Sequence, residues 1–135
     1  MVTRMDQDQI AAEGRLREQR VLLVEDEMMV AMLVEDMLLD VGCEVIGPVT
    51  RVDEALARTR DGGIDVAILD VNLDGQETYA VADALTEKGI PFVFATGYGA
   101  GGLKEGYKGT PTLQKPFQQR DLIQVLADAV GNGAA

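Results

Sequence analysis

From residue 20 onward, short apolar runs alternate with longer segments whose apolar residues recur at helical spacing. This alternation is typical of repeated strand-helix units, which build a parallel sheet covered by helices on both faces. The runs predict five strands, at residues 21–24, 45–46, 66–69, 92–95 and 112–113, and the longer segments predict helices at 28–40, 52–60, 76–88 and 118–130. We therefore predict an α/β fold with a doubly wound, parallel five-stranded sheet, in which strands one and three flank the point where the connections reverse if the strand order is 2-1-3-4-5.

Three segments fit this pattern less well. Six glycines fall within the thirteen residues 97–109, so the helix expected between strands four and five is weakly encoded, and we expect a weak or flexible fourth helix. Residues 1–18 predict either a leading helix or a flexible arm. We expect one folded domain over residues 19–130 and a disordered tail over 131–135.

Charge and composition exclude several classes of function. The chain has 23 acidic and 12 basic residues, and its formal charge of −11 disfavours binding to nucleic acid or to an anionic membrane. It contains no histidine, which excludes His-based catalysis and zinc-histidine sites. No apolar run is long enough for a membrane span or a secretory leader, and the single cysteine, Cys43, cannot form an internal disulfide. We therefore expect a cytoplasmic protein.

Three acidic residues follow predicted strands. Glu25 and Asp26 follow the run VLLV, and Asp70 follows VAIL. Each alone would more often cap a helix, but the carboxyl ends of parallel strands meet at one edge of the sheet, where ligands of this fold class bind. Carboxylates gathered at that edge repel one another unless a hard cation lies between them, so we predict a Mg²⁺ site.

The same edge carries groups suited to phosphoryl chemistry. A carboxylate beside Mg²⁺ can attack phosphorus, and Asp70 is the natural nucleophile. The phosphoryl oxygens would then need a hydroxyl donor and a fixed cation. Thr96 follows the run FVFA, and Lys115 follows the last short strand. Each has an ordinary explanation taken singly, but four strand ends bearing the needed side chains in order are hard to reach by accident.

The words VLLVEDE, VAILDVNLDG, FATGYG and LQKPF resemble the receiver domain of two-component response regulators over about residues 20–130. FATGY and PTLQKPF more narrowly resemble a group of single-domain receivers common in alphaproteobacteria. The resemblance implies the flavodoxin-like (βα)5 receiver fold and the following roles. Glu25 and Asp26 would be the acidic metal-binding pair, Asp70 the phosphoacceptor and a metal ligand, Asn72 a metal ligand through its backbone carbonyl, Thr96 the switch hydroxyl and Lys115 the family's lysine.

Two departures from the family concern the output. The position two before Lys115 is commonly an aromatic that rotates inward with the threonine, but here it is Leu113. Tyr98 is a candidate substitute for that switch. The second departure is the glycine-rich segment 97–109, which stands where the family has a firm fourth helix, and a segment that orders on phosphorylation is a plausible replacement.

The resemblance implies a single-domain response regulator that takes a phosphoryl group from a histidine kinase or a histidine phosphotransfer protein and signals through protein partners. It would catalyse its own phosphorylation and dephosphorylation without turning over external substrates. Whether it would be a phosphorelay shuttle, a phosphate sink or an effector stays open. Helix 28–40 is rich in methionine and leucine, which indicates either a core helix or a docking face for the phosphoryl donor.

Two other functions fit parts of the pattern. A phosphatase of the haloacid dehalogenase type also uses an aspartate after a strand with Mg²⁺, but it needs a second aspartate two residues on, where this chain has Asn72. A receiver-like module that docks without phosphorylation is the other alternative. The full set of carboxylates with Thr96 and Lys115 argues against it, because such modules usually lose one of these residues.

Overall fold

The computed structural model describes residues 7–97 and 102–133. A parallel sheet at its centre has the strand order β2-β1-β3-β6-β7, and β4 and β5 form a separate antiparallel hairpin. The strands are β1 Arg20–Val24, β2 Glu44–Val49, β3 Val66–Asp70, β4 Asn72–Leu73, β5 Gln76–Glu77, β6 Phe92–Thr96 and β7 Thr112–Gln114. With the hairpin set apart, the order of the five main strands is 2-1-3-4-5, so the predicted doubly wound fold is confirmed.

Helices cover both faces of the sheet. They are α1 Gln7–Leu16, α2 Met28–Asp40, α3 Val52–Asp61, α4 Tyr79–Glu87 and α5 Gln119–Gly133. One apolar cluster packs α1, α2 and α5 on one face, and a second packs α3 and α4 on the other. Every residue of β3 is buried, because this central strand has a paired neighbour on each side and a helical layer on each face.

The N-terminal segment forms a helix over the described residues rather than an arm. Ala12 and Leu16 of α1 are buried in the cluster with α2 and α5, and the Cys43 thiol donates a hydrogen bond to the carbonyl oxygen of Leu16. At the other end, α5 continues to Gly133, three residues beyond the predicted boundary at 130. Residues 1–6, 134 and 135 lie outside the described part of the chain.

The second strand of the hairpin, β5, occupies the first two residues of the helix predicted at 76–88. The expected start at residue 76 is wrong, since α4 begins at Tyr79. Asp74 and Gly75 both have positive φ angles, of 48° and 91°, which turn the chain tightly between Leu73 and Gln76. The consequence is a short, closed loop directly after the end of β3.

In the described part of the glycine-rich segment 97–109, the weakly encoded fourth helix is not formed as an α-helix. Residue 102 lies in a 3₁₀ turn and residues 105–109 form turns. Leu103 is buried, and the ring of Tyr107 packs against Tyr79 and Phe94 at centroid distances of 4.6 and 6.2 Å. Aromatic packing therefore takes the place of a helix in holding this segment on the sheet. Among the described helices, none is long and apolar enough to cross a membrane.

Candidate functional site

The predicted site residues gather at the carboxyl edge of the sheet. Asp70 is the last residue of β3, and the pairing of β3 with β6 places it beside Ala95, next to Thr96. Glu25 and Asp26 directly follow β1, the other neighbour of β3. Since β1 and β3 lie where the direction of the chain connections reverses, the carboxylates lie at the crevice expected for this fold class.

The three carboxylates form a compact cluster. One oxygen from each of Glu25, Asp26 and Asp70 lies within 4.8 Å of the others. Ligands on opposite sides of Mg²⁺ are about 4.2 Å apart, so three oxygens within 4.8 Å of one another need only a small inward shift to bind one such cation. Glu25 and Asp70 are only 3% and 8% exposed, which makes their mutual repulsion costly without a positive charge nearby.

Lys115 supplies a positive charge at this cluster. Its Nζ lies 2.7 Å from Glu25 Oε1 and 3.3 Å from Asp70 Oδ2. Its backbone N–H donates a 2.8 Å hydrogen bond to the carbonyl oxygen of Thr96, which ties the lysine to the end of β6. Lys115, which directly follows the edge strand β7, therefore bridges two of the three carboxylates.

Burial and neighbouring charges raise the pKa of both Glu25 and Lys115, which favours the neutral form of the carboxyl group and the charged form of the amine. Burial raises the pKa of Glu25 from its ordinary 4.5 to about 6, opposed by the hydrogen bond from Lys115 and helped by the charge of Asp70. Burial alone would lower the pKa of Lys115, but the Glu25 hydrogen bond and the Asp70 charge outweigh it and raise that pKa. Lys115 thus stays cationic, while Glu25 takes up a proton in mildly acidic solution.

Backbone amides orient the carboxylates. The Asn72 N–H donates a 3.3 Å hydrogen bond to Asp70 Oδ1, and the Glu27 N–H donates one of 3.1 Å to Glu25 Oε2. The side chain of Asn72 is engaged in the hairpin, where its Oδ1 accepts a 2.7 Å bond from Gly75 N–H. Its predicted role as a metal ligand through the backbone carbonyl stays a prediction.

Of the three predicted switch residues, the structure describes Thr96 and Leu113. Thr96 is 4% exposed at the end of β6, and Leu113 is buried in β7, where it pairs with Ala95. Leu113 packs in the cluster with α2 and α5. Tyr98, the predicted substitute for the aromatic switch, lies outside the described residues.

A pocket of about 690 Å³ extends from the carboxylates along α2. Its apolar walls come from α2 and from the segment after β7, namely Val30, Leu33, Val34, Met37, Pro116 and Phe117.

Helix α2 has one buried face, with Ala31, Val34 and Leu38, and one exposed face. Large apolar side chains on the exposed face are Met28, Met29, Met32, Leu33 and Leu39. The core and the surface interpretations of this helix therefore each describe one face.

One contact at the site was not anticipated from the sequence. The Thr78 hydroxyl donates a 2.7 Å hydrogen bond to the backbone carbonyl oxygen of Asp70. In the sequence, Thr78 falls inside the predicted helix 76–88, so no pattern distinguished it. A threonine at the true start of α4 would have predicted a helix cap, which is a different contact.

Comparison with known proteins agrees with this geometry. The sequence model of the response regulator receiver domain matches residues 21–127. The transcriptional regulatory protein PdtaR of Mycobacterium tuberculosis is 30% identical over 115 residues, covering 82% of this chain and 56% of PdtaR. The chain therefore spans about half the length of this curated relative.

Two solved structures are similar over most of this chain. The solution structure of SdrG from Sphingomonas melonis Fr1 is 42% identical with a TM-score of 0.74, covering 87% of this chain and 98% of SdrG. The crystal structure of the response regulator PhyR from Brucella abortus is 27% identical with a TM-score of 0.76, covering 89% of this chain and 51% of PhyR. With the family match over residues 21–127, these findings show that the chain belongs to the response regulator receiver domain family.

Proposed function

We propose that this receiver accepts a phosphoryl group on Asp70 in a Mg²⁺-dependent reaction, from a histidine kinase or a histidine phosphotransfer protein, and signals through protein partners. The observation that carries the proposal is the cluster of Glu25, Asp26 and Asp70 within 4.8 Å, with the Lys115 ammonium between two of them. Glu25, Asp26, Asp70 and the Asn72 backbone carbonyl would hold the metal. A bound Mg²⁺ would supply positive charge between the carboxylates and the incoming phosphoryl oxygens.

The reaction follows from the groups around Asp70. A carboxylate oxygen of Asp70 forms a bond to phosphorus as the phosphorus–nitrogen bond of the donor histidine breaks, and the imidazole leaves with the bonding electrons. Lys115 Nζ lies 3.3 Å from Asp70 Oδ2, so its ammonium is close enough to stabilise the negative charge on the incoming phosphoryl oxygens. Attack of water on the phosphorus of the acyl phosphate would release inorganic phosphate and return the Asp70 carboxylate.

The phosphoryl group would change the conformation of the protein surface through its contacts with Thr96 and Lys115. New acceptor oxygens at Asp70 favour arrangements in which both residues turn toward them, and a phosphoryl group adds about two negative charges at neutral pH. The backbone bond from Lys115 to Thr96 couples the two residues. The result is a population shift in the segments that follow β6 and β7, including the turns at 105–109. Leu113 and Tyr98 are the proposed modulators of that shift.

The exposed face of α2 supports docking of the phosphoryl donor at this site. Met29 is 86% exposed, Met28, Met32, Leu33 and Leu39 are more than half exposed, and the apolar pocket beside them leads to Asp70. Methionine-rich surfaces adapt to partner helices because the side chain is flexible and polarisable. We expect Met29→Glu to weaken transfer from a phosphorylated phosphotransfer protein while leaving labelling by acetyl phosphate unchanged. Ile10→Glu, at a half-exposed residue of α1, is the matched control.

The decisive experiment is intact-mass spectrometry after incubation with Mg²⁺ and acetyl phosphate. Wild type should gain one phosphate only when Mg²⁺ is present, and Asp70→Asn should gain none. Asp74→Asn changes the same functional group on the nearby exposed turn and should label like wild type. A stoichiometric adduct on Asp70→Asn would contradict the assignment. The docking module would be favoured instead if folded, Mg²⁺-binding wild type gained no phosphate from acetyl phosphate or from a phosphorylated phosphotransfer protein.

A further inference from the structure

The hydroxyl of Thr78 is bonded to the backbone of the proposed phosphoacceptor. Thr78 is fully buried, and its Oγ1 donates a 2.7 Å hydrogen bond to the carbonyl oxygen of Asp70. The same hydroxyl lies 3.3 Å from the carbonyl oxygen of Val71, which also accepts a 3.0 Å bond from the Thr78 backbone N–H. Thr78 thereby closes the loop that begins at Asp70 and contains Asn72.

Local structure gives Thr78 a different expected partner. It directly precedes α4, where a threonine usually caps the helix by accepting an N–H bond with its side-chain oxygen. In α4, which lies wholly within the described residues, no such side-chain cap bond is formed. The hydroxyl instead donates backward to the end of β3. The contact therefore serves the strand end and not the helix on which it stands.

Asp70, like Val66 at the other end of β3, is paired with a neighbouring strand on one side only. Pairing of β3 with β1 ends at Leu69, opposite Val24, whereas pairing with β6 continues to Asp70, opposite Ala95. Asp70 thus lies one residue past the last pair on the β1 side. The bond from Thr78 adds an anchor to its backbone carbonyl at this point.

We propose that Thr78 is a positioning residue of the phosphoacceptor loop, fixing the backbone from which the Asp70 carboxylate and the Asn72 carbonyl are presented to the metal and the phosphoryl group. This inference rests on the proposed function. The Asp70 carboxylate depends on that backbone for both of its contacts, the Asn72 N–H on Oδ1 and the Lys115 ammonium on Oδ2, each at 3.3 Å. Groups that orient metal ligands from behind typically change metal affinity or activity by about 10–100-fold when replaced.

Three variants separate positioning from stability. Thr78→Val removes the hydroxyl at nearly constant volume, and Thr78→Ser keeps it. Thr59→Val is the matched control, because Thr59 is equally buried and its hydroxyl donates a 2.8 Å bond to the Ala55 carbonyl within α3. Each variant is checked for folding by circular dichroism. Mg²⁺ affinity is then measured from amide chemical shifts, and the labelling rate from intact mass with acetyl phosphate.

We expect Thr78→Val to raise the Mg²⁺ dissociation constant and to lower the labelling rate, each about tenfold, with Thr59→Val unchanged. Thr78→Ser should stay within about twofold of wild type in both, since its hydroxyl can donate the same bond. Wild-type Mg²⁺ affinity in folded Thr78→Val would overturn the inference. A tenfold loss of Mg²⁺ affinity or labelling rate in Thr78→Ser would also overturn it. This second variant keeps the inference testable if Thr78→Val does not fold. If wild type took no phosphoryl group, the proposed function would fail, but the Mg²⁺ titration would still decide the role of Thr78.

Discussion

Replacing Glu25 with glutamine should stabilise the metal-free protein at neutral pH. Glu25 is 3% exposed and lies in a cluster with two other carboxylates, so its ionised form is held at a cost. Glutamine has nearly the same shape without the charge. It loses the charged contact to Lys115 Nζ at 2.7 Å, but that ammonium keeps Asp70 as a partner at 3.3 Å.

The pKa of Glu25 sets the size and the sign of the effect. Its pKa is 4.5 ordinarily and about 6 in the folded protein, a difference that corresponds to about 2 kcal/mol. Because the folded pKa is the higher one, the folded state binds the proton more tightly. The stabilising contribution is fully present below pH 4.5 and is lost as the pH rises through 6. Glu25→Gln should therefore match wild type below pH 4.5 and exceed its unfolding free energy by about 2 kcal/mol at pH 7.5.

Urea unfolding without Mg²⁺, run on both proteins across this pH range, measures that difference, while titrating groups that do not interact with Glu25 cancel between the two proteins. Glu87→Gln, at the exposed end of α4, controls for the substitution and should stay within about 0.5 kcal/mol of wild type throughout. Saturating Mg²⁺ should reverse the order at pH 7.5, because ligand at a hundredfold excess over its dissociation constant adds about 2.7 kcal/mol to the wild type. A Glu25→Gln variant that is equally or less stable than metal-free wild type at pH 7.5 would refute the reasoning.

Other expected results concern the packing around the site. Leu16→Ala should lower the unfolding free energy in urea by about 2–5 kcal/mol, because Leu16 is fully buried beneath α1, whereas Ile10→Ala on the exposed side of the same helix should change it by less than about 0.5 kcal/mol. Tyr107→Phe removes the hydroxyl that bonds to Asp83 but keeps the ring, so the loss should be about 1 kcal/mol or less, and a larger loss would contradict a purely local bond. The Cys43 thiol should react with iodoacetamide only on unfolding, because burial raises its pKa to about 11, and rapid alkylation of the native protein at pH 8 would contradict this.

The gathering of the site's side chains was predictable because it depends on which residues follow the strands. Glu25, Asp26 and Asp70 follow apolar runs and Lys115 follows the last short predicted strand. A parallel sheet brings such strand ends to one edge whatever the details of packing. The structure gathers these four residues as the sequence predicts. The double character of α2 was also visible, since its apolar residues exceed what one helical face can hold.

The hairpin at Asp74 and Gly75 was missed because two paired residues on each side give too short a pattern to compete with a helical one. The state of the N-terminal segment stayed open in the sequence for a related reason. A helix with two buried residues, Ala12 and Leu16, has little periodicity of its own, and its burial is decided by packing against α5 in the apolar cluster.

The sequence alone therefore determines the parallel sheet of five strands and the side chains at its carboxyl edge, because apolar runs alternating with helical segments impose them. Only the tertiary structure decides the burial, the pKa values and the hydrogen bonds of the side chains at that edge. The rise in the Glu25 pKa requires the burial that packing creates, and the bond from Thr78 to Asp70 joins residues whose relation depends on where α4 begins. Burial and hydrogen-bond direction arise from the whole fold, so no local run of residues encodes them.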